Sequence, residues 1–573
     1  MKKIPYGKIA SRLVGQSAVS FTPTLLGIIF QFGGGQMLGT SFPTHNKRLK
    51  PNRRRIIPTF FASLFLSLIM VACTPATTPE SPSDATQTTQ PQPTRGQSRT
   101  GTLRVAMQPI VQTDPAFISS DSEVLVASHI YDYLVDIDAQ NQVIPRLATD
   151  WEASGDGLVY RFTLADGVTF HDGSPFRAED VVWTFDRLRD PASELPTSSL
   201  YPNISKIEAS GDLEVTFTLT EPNPFFLYDL SDNHALILKA GTEDPAAAFN
   251  GTGPFIVDQY LPEDRIVLRA NENYYLDGQP QLAGLEVIFF NEDNAAAEAL
   301  RAGQIDLMLR MSTPLFTSLK ETAGIVTYDI PTTGFDVIRL RSDRPPGDDP
   351  KVIQALKLAT DREAIFQAVQ QGYGAVGRDS PIAPLYEAYY SEETPLPARD
   401  VEAARSLLAE AGYTDGLQLD LHTPDTGGRP DLAVVLKDQW AEAGVEINVI
   451  VEPESVYYGE GEWLEVDLGI TGWGSRPYPQ YYLDVMLACG AEWNESHFCD
   501  EEFDRLVRTA GTSLDEGERI QAYREIQRIL IERGPVIIPY YFAQFAAISD
   551  RFSGFELKAF AGRTDFRQVS ASD

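Results

Sequence analysis

The sequence predicts an α/β protein made of more than one lobe, and three observations carry that reading. The chain has 573 residues, a length prior of roughly three to four domains' worth that large lobes would lower. In its C-terminal half, strand and helix patterns alternate. Leu417 to Leu421 alternates as a strand, Pro430 to Ala443 is amphipathic, Val445 to Val451 alternates again, and Val466 to Ile470 reads as the next strand. That last strand then stops in an aromatic, charged loop, Gly472 to Asp484, which has the makings of a binding loop.

From the N-terminus, charge is unevenly laid out. Residues 1 to 72 hold ten Lys/Arg and no Asp/Glu, which leaves 37 basic against 80 acidic residues in the remainder, a net of −43. Such an acidic body repels phosphates and argues against nucleic acid as a partner. The basic cluster Lys47, Arg48, Lys50, Arg53, Arg54 and Arg55 precedes the apolar run Ile56 to Ala72 and then Cys73, the pattern of an export signal. The tripeptide before the cut, VAC, resembles a bacterial lipobox, which implies cleavage before Cys73 and lipid on its sulfur. An uncleaved anchor is the alternative, although 17 residues interrupted by Pro58 are at the short limit for a span. Residues 1 to 46 fit either a real extension or a start upstream of Met37. From Thr74 to Thr100, 20 of 27 residues are Thr, Pro, Ser or Gln, so 73–100 reads as a flexible tether.

The folded body opens at Gly101 with a strand, Leu103 to Met107, an irregular segment, Gln108 to Asp121, suited to contact a ligand, and a helix near Val124 to Leu134. Val159 to Leu164 is strand-like, Asp172 and Gly173 form a turn, and Ala178, Val181, Val182, Phe185 and Leu188 share one helical face. Two cysteines remain in the body, Cys489 and Cys499, and a disulfide closing a short loop fits an oxidising location. Metal ligation is the alternative, with only His497 between the two thiols.

In the loop after the last strand, Gly472 and Gly474 flank Trp473 and allow close backbone approach. Arg476 follows, beside Ser475 and before Pro477 and Tyr478; a guanidinium among rings and stiffening prolines suits a carboxylate or a flat group. The same residues also fit an ordinary strand exit with a core tryptophan and a solvated arginine. The body lacks the P-loop, H-E-x-x-H, G-x-S-x-G and paired C-x-x-C signatures, so nothing local points to catalysis. His129, His171, His234 and His422 stand apart in sequence and assemble no metal set, and no cofactor is implied.

An ordered series of segments carries a family resemblance. Residues 143 to 188 contain GVTFHDG and AEDV; GTGPF follows at 251 to 255, NENYY at 271 to 275, GQIDL at 303 to 307, QALKLATDREAI at 354 to 365, EAARSLLAEAGY at 402 to 413 and WAEAGVEINV at 440 to 449. Over about residues 101 to 560 the chain resembles the peptide-binding class (family 5) of extracytoplasmic solute-binding proteins that serve ABC importers, here in lipoprotein form. The resemblance implies a two-lobed periplasmic-binding-protein clamshell (class II, cluster C) with mixed sheets and a hinge. Residues 101–335 would form the first lobe, 336–539 the second, and 540–573 would return to the first.

It also implies a monomer with no enzymatic activity. It would capture a peptide, opine-like or other anionic solute and deliver it to permease and ATPase subunits, from a periplasmic or cell-surface position tethered by lipid. In peptide-binding relatives an Asp shortly after the GW pair holds the peptide ammonium; the ungapped position here is Arg476, which reverses the charge and implies an acidic group on the solute. The relatives' carboxylate-binding arginine falls on Thr423, with Arg429 in the same loop as a substitute. The expected contact set is Arg476, Trp473, Gly474, Ser475, Tyr478, Arg429, Gln108 and Phe335. The rival readings are an extracytoplasmic α/β hydrolase and a sensing or scaffolding receptor.

Overall fold

The structure is a computed structural model, and it describes residues 99–572 except 194, 460 and 461. The signal segment 1–72, Cys73 and nearly all of the tether lie outside the described residues.

One mixed sheet of twelve strands runs through the body. In spatial order its main path is Val445–Glu452, Leu417–Pro424, Leu468–Trp473, Ile325–Leu340, Tyr540–Ser549, Leu307–Leu309, Thr102–Met107, Gly284–Phe289, Arg265–Ala270 and Phe255–Leu261. Separate apolar cores lie at its two ends. We call lobe 1 the part around Leu103, Phe162, Phe217, Leu285 and Ile548, with a second layer at Phe316 and Phe545. Lobe 2 surrounds Leu421, Trp440 and Ile470, with a neighbouring core at Tyr482, Phe503 and Ile526. Lobe 1 also carries a four-stranded antiparallel sheet, Ala148–Ala153, Val159–Leu164, Glu214–Leu219 and Ile204–Gly211. The helix Ala178–Arg189 packs on it through Ala178, Val181, Phe185 and Leu188, with Val182 at the margin.

Two antiparallel strands belong to both lobes, Ile325–Leu340 and Tyr540–Ser549. Their register holds from Ile325 opposite Ser549 to Pro331 opposite Ala543 and resumes at Phe335 opposite Tyr541. Three residues, Thr332, Thr333 and Gly334, therefore face the single residue Phe542, a bulge that bends the ladder where the chain passes between lobes. The chain after the second crossing packs on lobe 1. Arg563 and Arg567 both meet Asp136, and Lys558 Nζ donates to Ile137 O at 2.6 Å.

The strand predicted from Val466 begins two residues later and runs through the GW pair, as Leu468–Trp473. It lies between Leu417–Pro424, parallel, and Ile325–Leu340, antiparallel. Neighbours on both sides bury consecutive residues, so strict alternation is lost. Its two glycines pass arginines: a Cβ on Gly469 would lie 2.7 Å from Arg339 Nη2, and one on Gly472 only 1.7 Å from Arg429 Nη2. Neither position has room for a side chain.

Candidate functional site

The loop after Trp473 is fastened to the bulge between the lobes. Thr333 and Gly334 donate their backbone N–H groups to Ser475 Oγ at 3.0 and 3.1 Å. Arg476 N donates to Thr333 Oγ1 at 2.9 Å, and that hydroxyl is 2.9 Å from Arg476 O. Tyr386 and Tyr482 donate phenolic hydroxyls to Arg476 O and Gly474 O, both at 2.7 Å. Amides that the bulge removes from the ladder are thus satisfied by the loop, as buried donors must be. The backbone of Arg476 is held rigidly at the point where the lobes meet.

Its side chain has a different environment. Nη1 donates to Ser475 O at 3.0 Å and the guanidinium lies 4.5 Å from the Tyr481 ring centroid, a cation–π contact. No described carboxylate forms an ion pair with it. The other arginines near this strand are occupied: Arg339 pairs with Glu495 at 2.8 Å, fully buried, and Arg429 pairs with Asp336 at 2.8 Å. Asp336 also accepts from Tyr540 OH at 2.7 Å.

Lobe 1 presents the strip Asn223 to His234 to this loop. Phe225 is 3 % exposed and stacks on Tyr478 of lobe 2, centroids 5.0 Å apart. Tyr478 OH donates to Asp229 Oδ1 at 2.7 Å, and Asn141 Nδ2 donates to Pro477 O at 3.0 Å. Burial pushes the Asp229 carboxyl up to about 7, against the Tyr478 and Asn223 hydrogen bonds. Farther along the strip, His234 Nδ1 lies 2.6 Å from Asp232 Oδ1. Burial works against ionisation of Asp232, but the His234 hydrogen bond outweighs it and holds that carboxyl down at about 2.

Of the expected contacts, Gly474, Ser475, Arg476 and Tyr478 share this one loop, with Gly474 exposed. Trp473 is 8 % exposed, and its Nε1 donates to Glu495 Oε1 at 3.3 Å. Arg429 lies against the same strand but is tied down by Asp336. Gln108 is exposed at the end of its strand, followed by a segment whose Val111, Gln112, Ser119 and Ser120 amides converge on the Glu123 carboxylate. Phe335 corrects the expectation of a ligand contact: it is fully buried in the lobe 2 core against Tyr482 and Tyr541. Thr423 is likewise fully buried.

Cys489 and Cys499 are joined, S–S 1.94 Å, so the sulfurs near Asp504 are not free thiolates. His129 is a core residue: Nδ1 is 2.7 Å from Leu125 O, and Nε2 accepts the Phe566 amide. Sequence reasoning missed the whole opposing wall. Only the aromatic pair Phe225 and Phe226 and the spacing of Asp232 and His234 hinted at it.

Two lobes joined by two crossing strands, with a cationic loop of one facing an aromatic and acidic strip of the other, define a binding protein of the clamshell class. The same fold occurs in the solved structure of HbpA2 from Haemophilus parasuis, 25 % identical, with a TM-score of 0.73 over 82 % of this chain and 100 % of that one. The family model for bacterial extracellular solute-binding proteins, family 5 (middle region), matches residues 142–494, and the chain belongs to that family. Similar relatives include "Probable di/tripeptide-binding protein 5" of Pseudomonas aeruginosa, 29 % identical over 474 residues, 76 % of this chain and 89 % of the relative. "Di/tripeptide-binding protein 4" of the same organism is 30 % identical over 436 residues, 69 % and 80 % respectively. The chain is therefore a solute-binding protein of the ABC importer type, and its relatives are binding proteins rather than enzymes.

Proposed function

We propose that the protein captures a di- or tripeptide, or a peptide-like solute, through an acidic group bound by Arg476, and passes it to the permease and ATPase subunits of its importer. The names of the relatives support the peptide class. The single observation that carries the acidic group is Arg476: a guanidinium fixed at the lobe junction that lacks a carboxylate partner among the described residues. A desolvated cation of this kind is costly unless an anion meets it. Trp473 and Tyr478 stand beside it for the flat or apolar part of the solute, and closure follows from tighter binding to the closed state. The lobe boundaries near 335 and 539 suit this reading because both crossings fall there. Tethering through lipid on Cys73 is supported by the basic cluster, the apolar run and VAC before the polar tether.

Mass spectrometry of solute released from denatured, natively purified protein identifies the ligand, and calorimetry with it on wild type and Arg476→Ala tests the anchor. Loss of one side of such a pair costs about 2 to 5 kcal/mol, so affinity falls by at least roughly thirtyfold. A change under about threefold removes Arg476 from the role. Release of the body from membranes by Cys73→Ser checks the tether.

A further inference from the structure

The strip that faces Arg476 contains two carboxylates in different situations. Asp229 has both oxygens occupied, Oδ1 by Tyr478 OH and Oδ2 by Asn223 Nδ2, each at 2.7 Å. Asp232 uses only Oδ1, which takes the His234 amide at 3.0 Å and lies 2.6 Å from His234 Nδ1. Oδ2 has no donor among the described residues, and 41 % of the Asp232 side chain is accessible.

The position of Asp232 relative to Arg476 is set by the contacts between the lobes. The Tyr478–Asp229 hydrogen bond begins two residues after Arg476 and ends three residues before Asp232; the Asn141–Pro477 bond pins the same pair of segments. The two charges are near enough for the field of Arg476 to favour ionisation of Asp232, yet they form no ion pair. A cation on lobe 2 and an anion on lobe 1 thus face each other across a gap that no described side chain bridges. A solute with one charge would answer only half of that arrangement, whereas one with opposite charges at its two ends answers both.

We propose that Asp232 is a ligand-binding residue that receives the ammonium or other cationic group of the solute whose carboxylate lies on Arg476. The ligand is then a zwitterion held lengthwise across the cleft, acidic end on lobe 2 and basic end on lobe 1. This rests on the peptide reading above and adds an orientation and a second specificity determinant. A ligand held at both ends binds the closed state better than the open one, which is the condition for it to drive closure. His234 acts as a positioning residue that fixes the Asp232 carboxylate through Oδ1 and leaves Oδ2 for the ligand.

The probe is a mixed pool of free dipeptides, compared with the same pool N-acetylated and the same pool amidated at the C-terminus. Thermal shift reads the pools, and calorimetry reads the best member on wild type and Asp232→Asn. The free pool should stabilise wild type. N-acetylation and Asp232→Asn should each weaken binding at least tenfold, and the two losses should not compound, because both remove one contact. Acetylation alters only the ligand, so that arm does not depend on the variant folding. An N-acetylated peptide that binds as well as the free one overturns the inference, as does Asp232→Asn retaining affinity within threefold. If amidation weakens binding while acetylation does not, the Arg476 reading survives and this one is refuted. If no pool shifts wild type, the peptide reading itself fails, and the orientation falls with it.

Discussion

Phe225 is the element through which lobe 1 reaches into lobe 2, and Phe225→Ala should loosen the two lobes without unfolding either. Only 3 % of the residue is exposed, yet three of its four aromatic partners belong to the opposite lobe. They are Tyr478, stacked at 5.0 Å, and Tyr389 and Tyr523, edge-on at 6.0 and 6.5 Å; Tyr228 of its own lobe lies at 6.3 Å. A phenylalanine buries about 150–250 Å², worth about 4–6 kcal/mol at ~25 cal/mol per Å². If about half of that area is exposed when the lobes part, the variant loses about 2 kcal/mol of preference for the contacted state. That is a roughly thirtyfold change in the ratio of closed to open molecules. Small-angle scattering of ligand-free wild type and variant reads the open population as a larger radius of gyration. Calorimetry reads it as weaker solute binding, since affinity scales with the competent fraction. An unchanged scattering profile together with affinity within about twofold would falsify the role of Phe225 as a latch and leave it as a packing residue.

Three further outcomes are expected. Glu495→Gln leaves the fully buried Arg339 without its counter-charge, and loss of a buried partner costs about 3–5 kcal/mol; scanning calorimetry should show a lower melting temperature, and an unchanged one removes this ion pair from the account of lobe 2. Replacing both Cys489 and Cys499 by serine opens a loop with a sequence separation of 10 and should cost about 2–3 kcal/mol by the loop-entropy model, measured by denaturant unfolding of oxidised and double-variant protein. The Asp229 carboxyl is pushed by burial from 3.8 up to about 7. Its contribution to the lobe contact is therefore complete below about pH 3.8 and is lost as pH rises through about 7. Asp484, pushed by burial up to about 6, acts in the same direction. Scattering should find ligand-free protein more open at alkaline than at acidic pH, and Asp229→Asn should reduce that dependence; an identical pH response in the variant assigns it elsewhere.

How much of this was legible in the sequence depended on the range over which each feature is encoded. The elements Val159–Leu164, Arg429–Ala441 and Val445–Glu452 were visible because their apolar periods are local. The strand Leu468–Trp473 was misplaced at its start. Val466 looked like part of the alternation, but its carbonyl is taken by Arg339 Nη1 at 3.1 Å, outside the ladder. Arg476 was visible as a charge after a GW pair. That Arg429 and Arg339 are occupied while Arg476 is not follows from Asp336 and Glu495, which lie 93 and 156 residues from their partners. No local pattern reports that.

Phe335 shows the same limit from the other side. It sits where the chain changes lobes, which suggested a place at the cleft, yet the pleat turns it inward between Tyr482 and Tyr541. The residue that does mark the junction is Thr333, whose hydroxyl exchanges hydrogen bonds with both backbone groups of Arg476. Because Thr333 and Gly334 are fastened to the loop of lobe 2, the bulge and the binding loop are one rigid piece. A change of backbone angle between lobes then falls on residues that this clamp does not hold, Pro331 on one crossing and Phe542 to Ala543 on the other. The guanidinium of Arg476 consequently keeps its place in lobe 2 as the lobes move, and the distance that changes on closure is the one to the Asp232 strip.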